Sequence, residues 1–224
     1  MHISSGPDDV TITGANLRIV NGVGSTDIAN GVGNLIVGYD ESRQELDGCS
    51  GSTAGFCTDR RTGSHDVVVG RFNNFSSFGR LVIGEVNEIS GRFSSVSGGG
   101  TNTAVGDYSS VSGGGGNAAF GKNSSISAGV NNRAIGFLSS VIGGLRNEAF
   151  GLGSTMSGGQ ENRAGGLYAS VSGGVGNAAN AKWSSVSGGG NNEASGDGSS
   201  VSGGATRTAA ALFNWAAGAL FSDR

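Results

Sequence analysis

A frame of 15 residues repeats along this chain without slipping. The string Ser94-Ser95-Val96-Ser97-Gly98-Gly99 returns as Ser109-Ser110-Val111-Ser112-Gly113-Gly114. Equivalents begin at Ser124, Ser139, Ser154, Ala169, Ser184 and Ser199. A tandem period this short belongs to a coiled solenoid or a fibrous array, because one unit is too small to enclose a core and must bury its apolar side against its neighbours.

With Ser94 as position 1, position 3 is always apolar: Val96, Val111, Ile126, Val141, Met156, Val171, Val186 and Val201. Position 6 is always glycine, from Gly99 to Gly204, and position 11 always alanine, from Ala104 to Ala209. Position 9 is Asn102, Asn117, Asn132, Asn147, Asn162, Asn177 and Asn192, and breaks at Arg207. Ser-Val-Ser and Asn-x-Ala-x-Gly both alternate with period 2, so each coil reads as two short strands with one face turned inward. The glycine suits a corner that needs positive φ, or a place where backbones crowd. Asparagine at one place in every coil can stack as an amide ladder. The expected fold is all-β: a parallel β-solenoid of single coils hydrogen-bonded at roughly 4.7–4.9 Å spacing.

The inside of such a coil is thin. A buried valine contributes about 1.5–3 kcal/mol, whereas ordering each residue costs roughly 1–2 kcal/mol. Further apolar side chains fall outside these inward positions. Position 15 carries Phe93, Tyr108, Leu138, Tyr168, Trp183 and Phe213, and position 12 carries Val105, Phe120, Ile135 and Phe150. These stripes are expected to form an interface between copies of the chain along the solenoid; the alternative is that they merely cover turns. Position 10 places Arg133, Glu148 and Arg163 in consecutive coils, an exposed charge ladder worth about 0–1 kcal/mol per pair.

Forty-five glycines in 224 residues with one proline exclude an ordinary globular domain, and the lack of a Gly-X-Y period excludes collagen. A net charge of −3 argues against nucleic acid or an anionic membrane as partner. No apolar run approaches the roughly 20 residues of a membrane span. Met1–Gly6 lack the charged and then apolar pattern of a signal peptide. Cys49 and Cys57 sit in a Gly/Ser-rich stretch and are expected to pair, which implies an oxidising, extracytoplasmic location. The gain from so short a loop would be about 2–3 kcal/mol; two free thiols are the alternative.

Along the chain, residues 1–9 are expected to be flexible and 10–38 to form an N-terminal cap with the first irregular coils. Residues 39–63 read as a charged, disulfide-closed insertion, 64–213 as the regular coils and 214–224 as a capping coil. Chemistry is sparse. The Gly-x-Gly strings lack the following Gly-Lys-Ser/Thr of a phosphate loop. Asp107 and Asp197 stand alone, so the calcium-binding nonapeptide is missing. No serine occupies a nucleophile elbow, and His2 and His65 have no ligand-like spacing to the cysteines. His65-Asp66 is the one adjacent imidazole–carboxylate pair. The expectation is no enzyme, no cofactor and no metal.

Read from position 9, the unit is Asn-x-Ala-x-Gly-x-x-Ser-Ser-Val-Ser-Gly-Gly-x-x. It resembles the head repeats of trimeric autotransporter adhesins (YadA-like). The best local matches are Asn34-Leu35-Ile36-Val37-Gly38, Asp66-Val67-Val68-Val69-Gly70 and Arg80-Leu81-Val82-Ile83-Gly84. The resemblance implies a left-handed parallel β-roll, three chains side by side, and attachment to a host surface, neighbouring cell or matrix. The chain departs from that pattern in its 15-residue frame, where the family has mostly 14, and in Val-Ser-Gly-Gly for Val-Ala-Ile-Gly. Neither a heptad stalk nor a β-barrel anchor is legible in it. Three functions fit: a surface adhesin rod, a segment of a phage or secretion fibre, and an ice-binding solenoid presenting Ser-x-Ser rows.

Overall fold

The computed structural model describes residues 2–5, 10–52 and 55–218. The repeats wind into a parallel β-solenoid with two sheets. One is a 12-stranded sheet running from Leu35–Val37 through Val67–Arg71, Leu81–Glu85 and Ser95–Val96 to Trp215–Ala216. The other is a 10-stranded sheet running from Asn74–Phe75 and Glu88–Ile89 through Thr103–Ala104 to Thr208–Ala209. We call them the valine sheet and the alanine sheet. From Ser95 onward each strand pairs 15 residues ahead, as Ser95 with Ser110 and Thr103 with Ala118. The earlier pairs Val67 with Leu81, Leu81 with Ser95 and Asn74 with Glu88 are 14 apart.

Alternation decides what goes inside. Position 3 and position 11 project inward from the two sheets, and every such side chain from Val96 to Ala209 is at most 1% exposed. In the first coils Phe75 and Ile89 take the place that alanine holds later, opposite Val68 and Val82. Each strand is only two residues long through most of the stack, so each strand buries one apolar side chain.

The asparagines supply what that core lacks. Asn117 is fully buried; its Nδ2 donates to Gly113 O at 3.1 Å and to Gly129 O of the next coil at 2.8 Å, and its Oδ1 accepts from the Asn132 N–H at 2.9 Å. The same set recurs in coil after coil. The amides thus bond backbone rather than one another, apart from Asn162 Nδ2 to Asn147 Oδ1 at 3.2 Å. The position 6 glycine is required twice over. Gly114 has φ 87°, and a Cβ there would lie 2.1 Å from Gly129 O. At Arg207 the ladder ends with its N–H on Asn192 Oδ1.

Two further corners are left-handed in every regular coil, and neither is reserved for glycine. Position 8 includes Thr101 at φ 57° and Arg146 at 55°. Position 15 includes Phe93 at 54°, Tyr108 at 58°, Leu138 at 58°, Tyr168 at 53°, Trp183 at 58° and Phe213 at 53°. Such a conformation costs an L-residue roughly 1–2 kcal/mol.

The N-terminal part is less regular. His2–Ser5, placed by the sequence reading in a flexible terminus, form a strand antiparallel to Val10–Thr13, outside both solenoid sheets. Within residues 10–38 only Leu35–Val37 enters a solenoid sheet. Met1 and residues 6–9 of the expected flexible terminus, and 219–224 of the expected capping coil, lie outside the described residues. Cys49 and Cys57 are disulfide-bonded, with Cα atoms 5.2 Å apart. Their loop is fastened to the stack from both sides. Ser42 caps a short 3-10 turn and bonds Asp59 at 2.6 Å, and the Arg43 side chain is 2% exposed. Asp66 and Arg80 form an ion pair inside the coil, both side chains at 0% exposure.

Candidate functional site

No catalytic constellation emerges from the residues that sequence reading brought forward. Asp66 spends its carboxylate on Arg80, at 2.6 and 3.1 Å. Burial pushes this carboxyl above its ordinary range, and the bonds from Arg80 pull against that. His65 Nδ1 has no hydrogen-bond partner, so the adjacent pair is not a coupled dyad. His65 lines a hollow of about 450 Å³ with Arg18, Val20, Asn21, Ser25 and Thr26, a set without a paired acid and base. Among the described residues no group of three His, Cys, Asp or Glu could hold a metal ion.

The outer surface is more informative. Positions 2 and 4 turn outward from the valine sheet. Position 2 is Ser95, Ser110, Ser125, Ser140, Thr155, Ser170, Ser185 and Ser200, held in parallel register. In the first coils the same face is apolar, with Leu35, Val37 and Val67 exposed and Val69, Leu81 and Ile83 half-buried.

The expected interface residues all lie on the surface. Phe93, Tyr108, Leu138, Tyr168, Trp183 and Phe213 are 44–71% exposed, and Phe120 and Phe150 are 40% and 48% exposed. The rings at position 15 lean onto the preceding coil. Phe93 and Tyr108 stack with centroids 5.4 Å apart, and a Cβ on Gly153 would lie 2.5 Å from Tyr168 Cδ1. Phe120 and Phe150 each carry a guanidinium over the ring, from Arg133 and Arg163 of the following coil, at 5.6 and 5.3 Å. Arg133 also bridges Glu148 at 3.1 Å, but no bridge joins Glu148 to Arg163 among the described residues, so the alternating ladder is half made.

Position 14 was missed by sequence reading. It is polar at Arg92, Asp107 and Lys122, apolar at Phe137, Leu152 and Leu167, then polar again at Lys182 and Asp197. Arg92 bonds Asp107 at 3.0 Å and holds that carboxyl below its usual range. Phe137, Leu138, Phe150, Leu152 and Tyr168 are exposed and Ile135 and Leu167 half-buried, so the coils halfway along the rod carry an apolar patch on their outer positions. The signal was a run of three apolar residues at one frame position. No protein-family model matches this chain, and a search of curated proteins finds no match.

Proposed function

We propose that the chain is a non-enzymatic structural repeat domain: a rigid β-roll that associates side by side into a trimer and displays its outer faces for attachment at a bacterial cell surface. The observation that carries this reading is the mid-rod apolar patch. Phe137, Leu138, Phe150, Leu152 and Tyr168 are exposed in the single chain, Leu138 and Tyr168 on left-handed corners. Large apolar patches on a soluble surface mark contact sites, and a stack that buries one side chain per strand gains most from lateral burial. The disulfide fits an oxidising, extracellular setting. The left hand and the attachment role come from the adhesin resemblance.

Sedimentation equilibrium tests the assembly. The expected mass is that of three 22.1 kDa chains. A monomer at micromolar concentration overturns the trimer. A second reading, ice binding, draws on the row of seven serines and Thr155 that runs over eight coils of the valine sheet. Thermal hysteresis no greater than that of a control protein removes it.

A further inference from the structure

Arg43 belongs to the insertion, yet its guanidinium is built into the corner of the coil. Its Nε donates to Phe72 O at 2.9 Å, and Nη2 donates to Val86 O at 3.0 Å and Asn87 O at 2.9 Å. Glu88 Oε2 stands 3.8 Å from Nη1. The cradle therefore consists of Phe56 O of the insertion, which accepts from Nη1 at 3.2 Å, and, from the coil, the position 8 carbonyls of two successive coils, the position 9 carbonyl and the position 10 carboxylate. Phe72 and Val86 are left-handed, and no described backbone N–H bonds their carbonyls, which leaves them to the guanidinium.

The repeat rebuilds the part of this set that the coil supplies. In strand register, position 10 reads Glu88, Thr103, Ala118, Arg133, Glu148, Arg163, Ala178 and Glu193. Carboxylates recur there at Glu148 and Glu193. Glu148 is taken by Arg133, and the side chain of Arg146 adds positive charge at that corner. Glu193 bonds the neutral amide of Asn180 at 3.2 Å, and its corner residues Gly176 and Asn191 carry no charge. These corners keep φ 66° and 54°, against 57° and 58° at Phe72 and Val86. Their carbonyls likewise bond no described backbone N–H. Asn192 O accepts the Ala178 N–H at 2.8 Å, as Asn87 O accepts the Asn74 N–H at 2.8 Å. Asn192 itself is fully buried, so the carbonyls within reach at this corner are those of Gly176 and Asn191.

We propose that the corner formed by Gly176, Asn191 and Glu193 is a second guanidinium site, facing outward and suited to an arginine side chain of a partner protein. A planar fork can bridge carbonyls of two coils while its charge meets the carboxylate. An ammonium is a point charge and cannot span them in the same way. Gly176, Asn191 and Glu193 lie outside the coils that carry Phe137, Leu152 and Leu167.

The test titrates isotope-labelled protein with arginine amide and, separately, lysine amide, following backbone amide shifts. Arginine amide should give saturable shifts concentrated at residues 191–193. Glu193→Gln should weaken them roughly three- to tenfold, and Glu148→Gln should leave them unchanged. In an Arg43→Ala protein, arginine amide should also restore part of the lost melting temperature by filling the vacated first cradle. Equal responses to the two amides, shifts spread evenly along the rod, or no saturable shift at residues 191–193 would overturn the proposal. So would a folded Arg43→Ala protein that arginine amide does not stabilise. If that variant does not fold, the Glu193 titration decides alone.

Discussion

Asn132 shows how much a single side chain carries in a coil this narrow. Its Nδ2 donates to Ala128 O at 3.2 Å and Gly144 O at 2.9 Å, and its Oδ1 accepts from the Asn147 N–H at 2.9 Å. Gly144 O also accepts the Val130 N–H at 2.9 Å, so alanine would strand two backbone groups, Ala128 O and the Asn147 N–H, each costing about 1–3 kcal/mol. Asn132→Ala should therefore lose about 2 kcal/mol or more in urea denaturation; a loss under about 1 kcal/mol would mean that water enters and replaces the amide. The Asp66–Arg80 pair follows a different logic. Asp66→Ala leaves a guanidinium buried without its counter-charge and should cost about 3–5 kcal/mol. Giving both sites the serine that position 1 carries in later coils should recover most of that loss. A double variant no more stable than Asp66→Ala would refute the account.

At the scale of the strand and corner, glycines at two adjacent positions of the frame, 5 and 6, behave differently. A Cβ on Gly129 would lie 2.3 Å from Gly144 O, at φ 95°, whereas nothing lies within 4 Å of one on Gly113. Gly129→Ala should force neighbouring coils apart and lower the melting temperature sharply, while Gly113→Ala should leave it nearly unchanged; circular dichroism melts compare the two. Both residues read alike in sequence, as half of a Gly-Gly or Ala-Gly corner, yet the frame position already separated them: position 6 never varies. That invariance made the coil legible. So did the alternation that turned Val96 and Ala104 inward, since a period of 2 admits one buried face. The left-handed corner at position 15 was not legible, because Phe93, Tyr108 and Trp183 are residues that conformation disfavours. Neither was Arg43, whose partners Val86 and Asn87 lie 43 and 44 residues away and are main-chain atoms that any sequence supplies. Asp66 and Arg80 meet only because the early coils step by 14.

At the scale of the whole molecule, a stack of near-identical coils raises a question of register. Copies laid side by side along a perfect repeat could slide by one coil, about 4.8 Å, at almost no cost. In the proposed assembly the irregular outer positions would remove that freedom. Phe137, Leu152 and Leu167 put apolar surface in the middle three coils, while Arg92, Asp107 and Lys122 before them and Lys182 and Asp197 after them put charge at either side. Sliding one copy would set apolar side chains against solvated charges and lose part of the central burial. Register, on this reading, is encoded in the variable outer side chains, and the coil itself is encoded in the invariant inner ones. The two can then be separated by mutation. Phe150→Ser with Leu152→Ser should lower the assembly's mass in sedimentation equilibrium while leaving the β-sheet circular dichroism spectrum unchanged, because both side chains are exposed in the single chain. The same double substitution placed on the serine row, Ser140→Ala with Ser170→Ala, should change neither. An unchanged mass in the first variant would move the seam away from the apolar patch, and a lost spectrum would mean that the coil cannot stand without it.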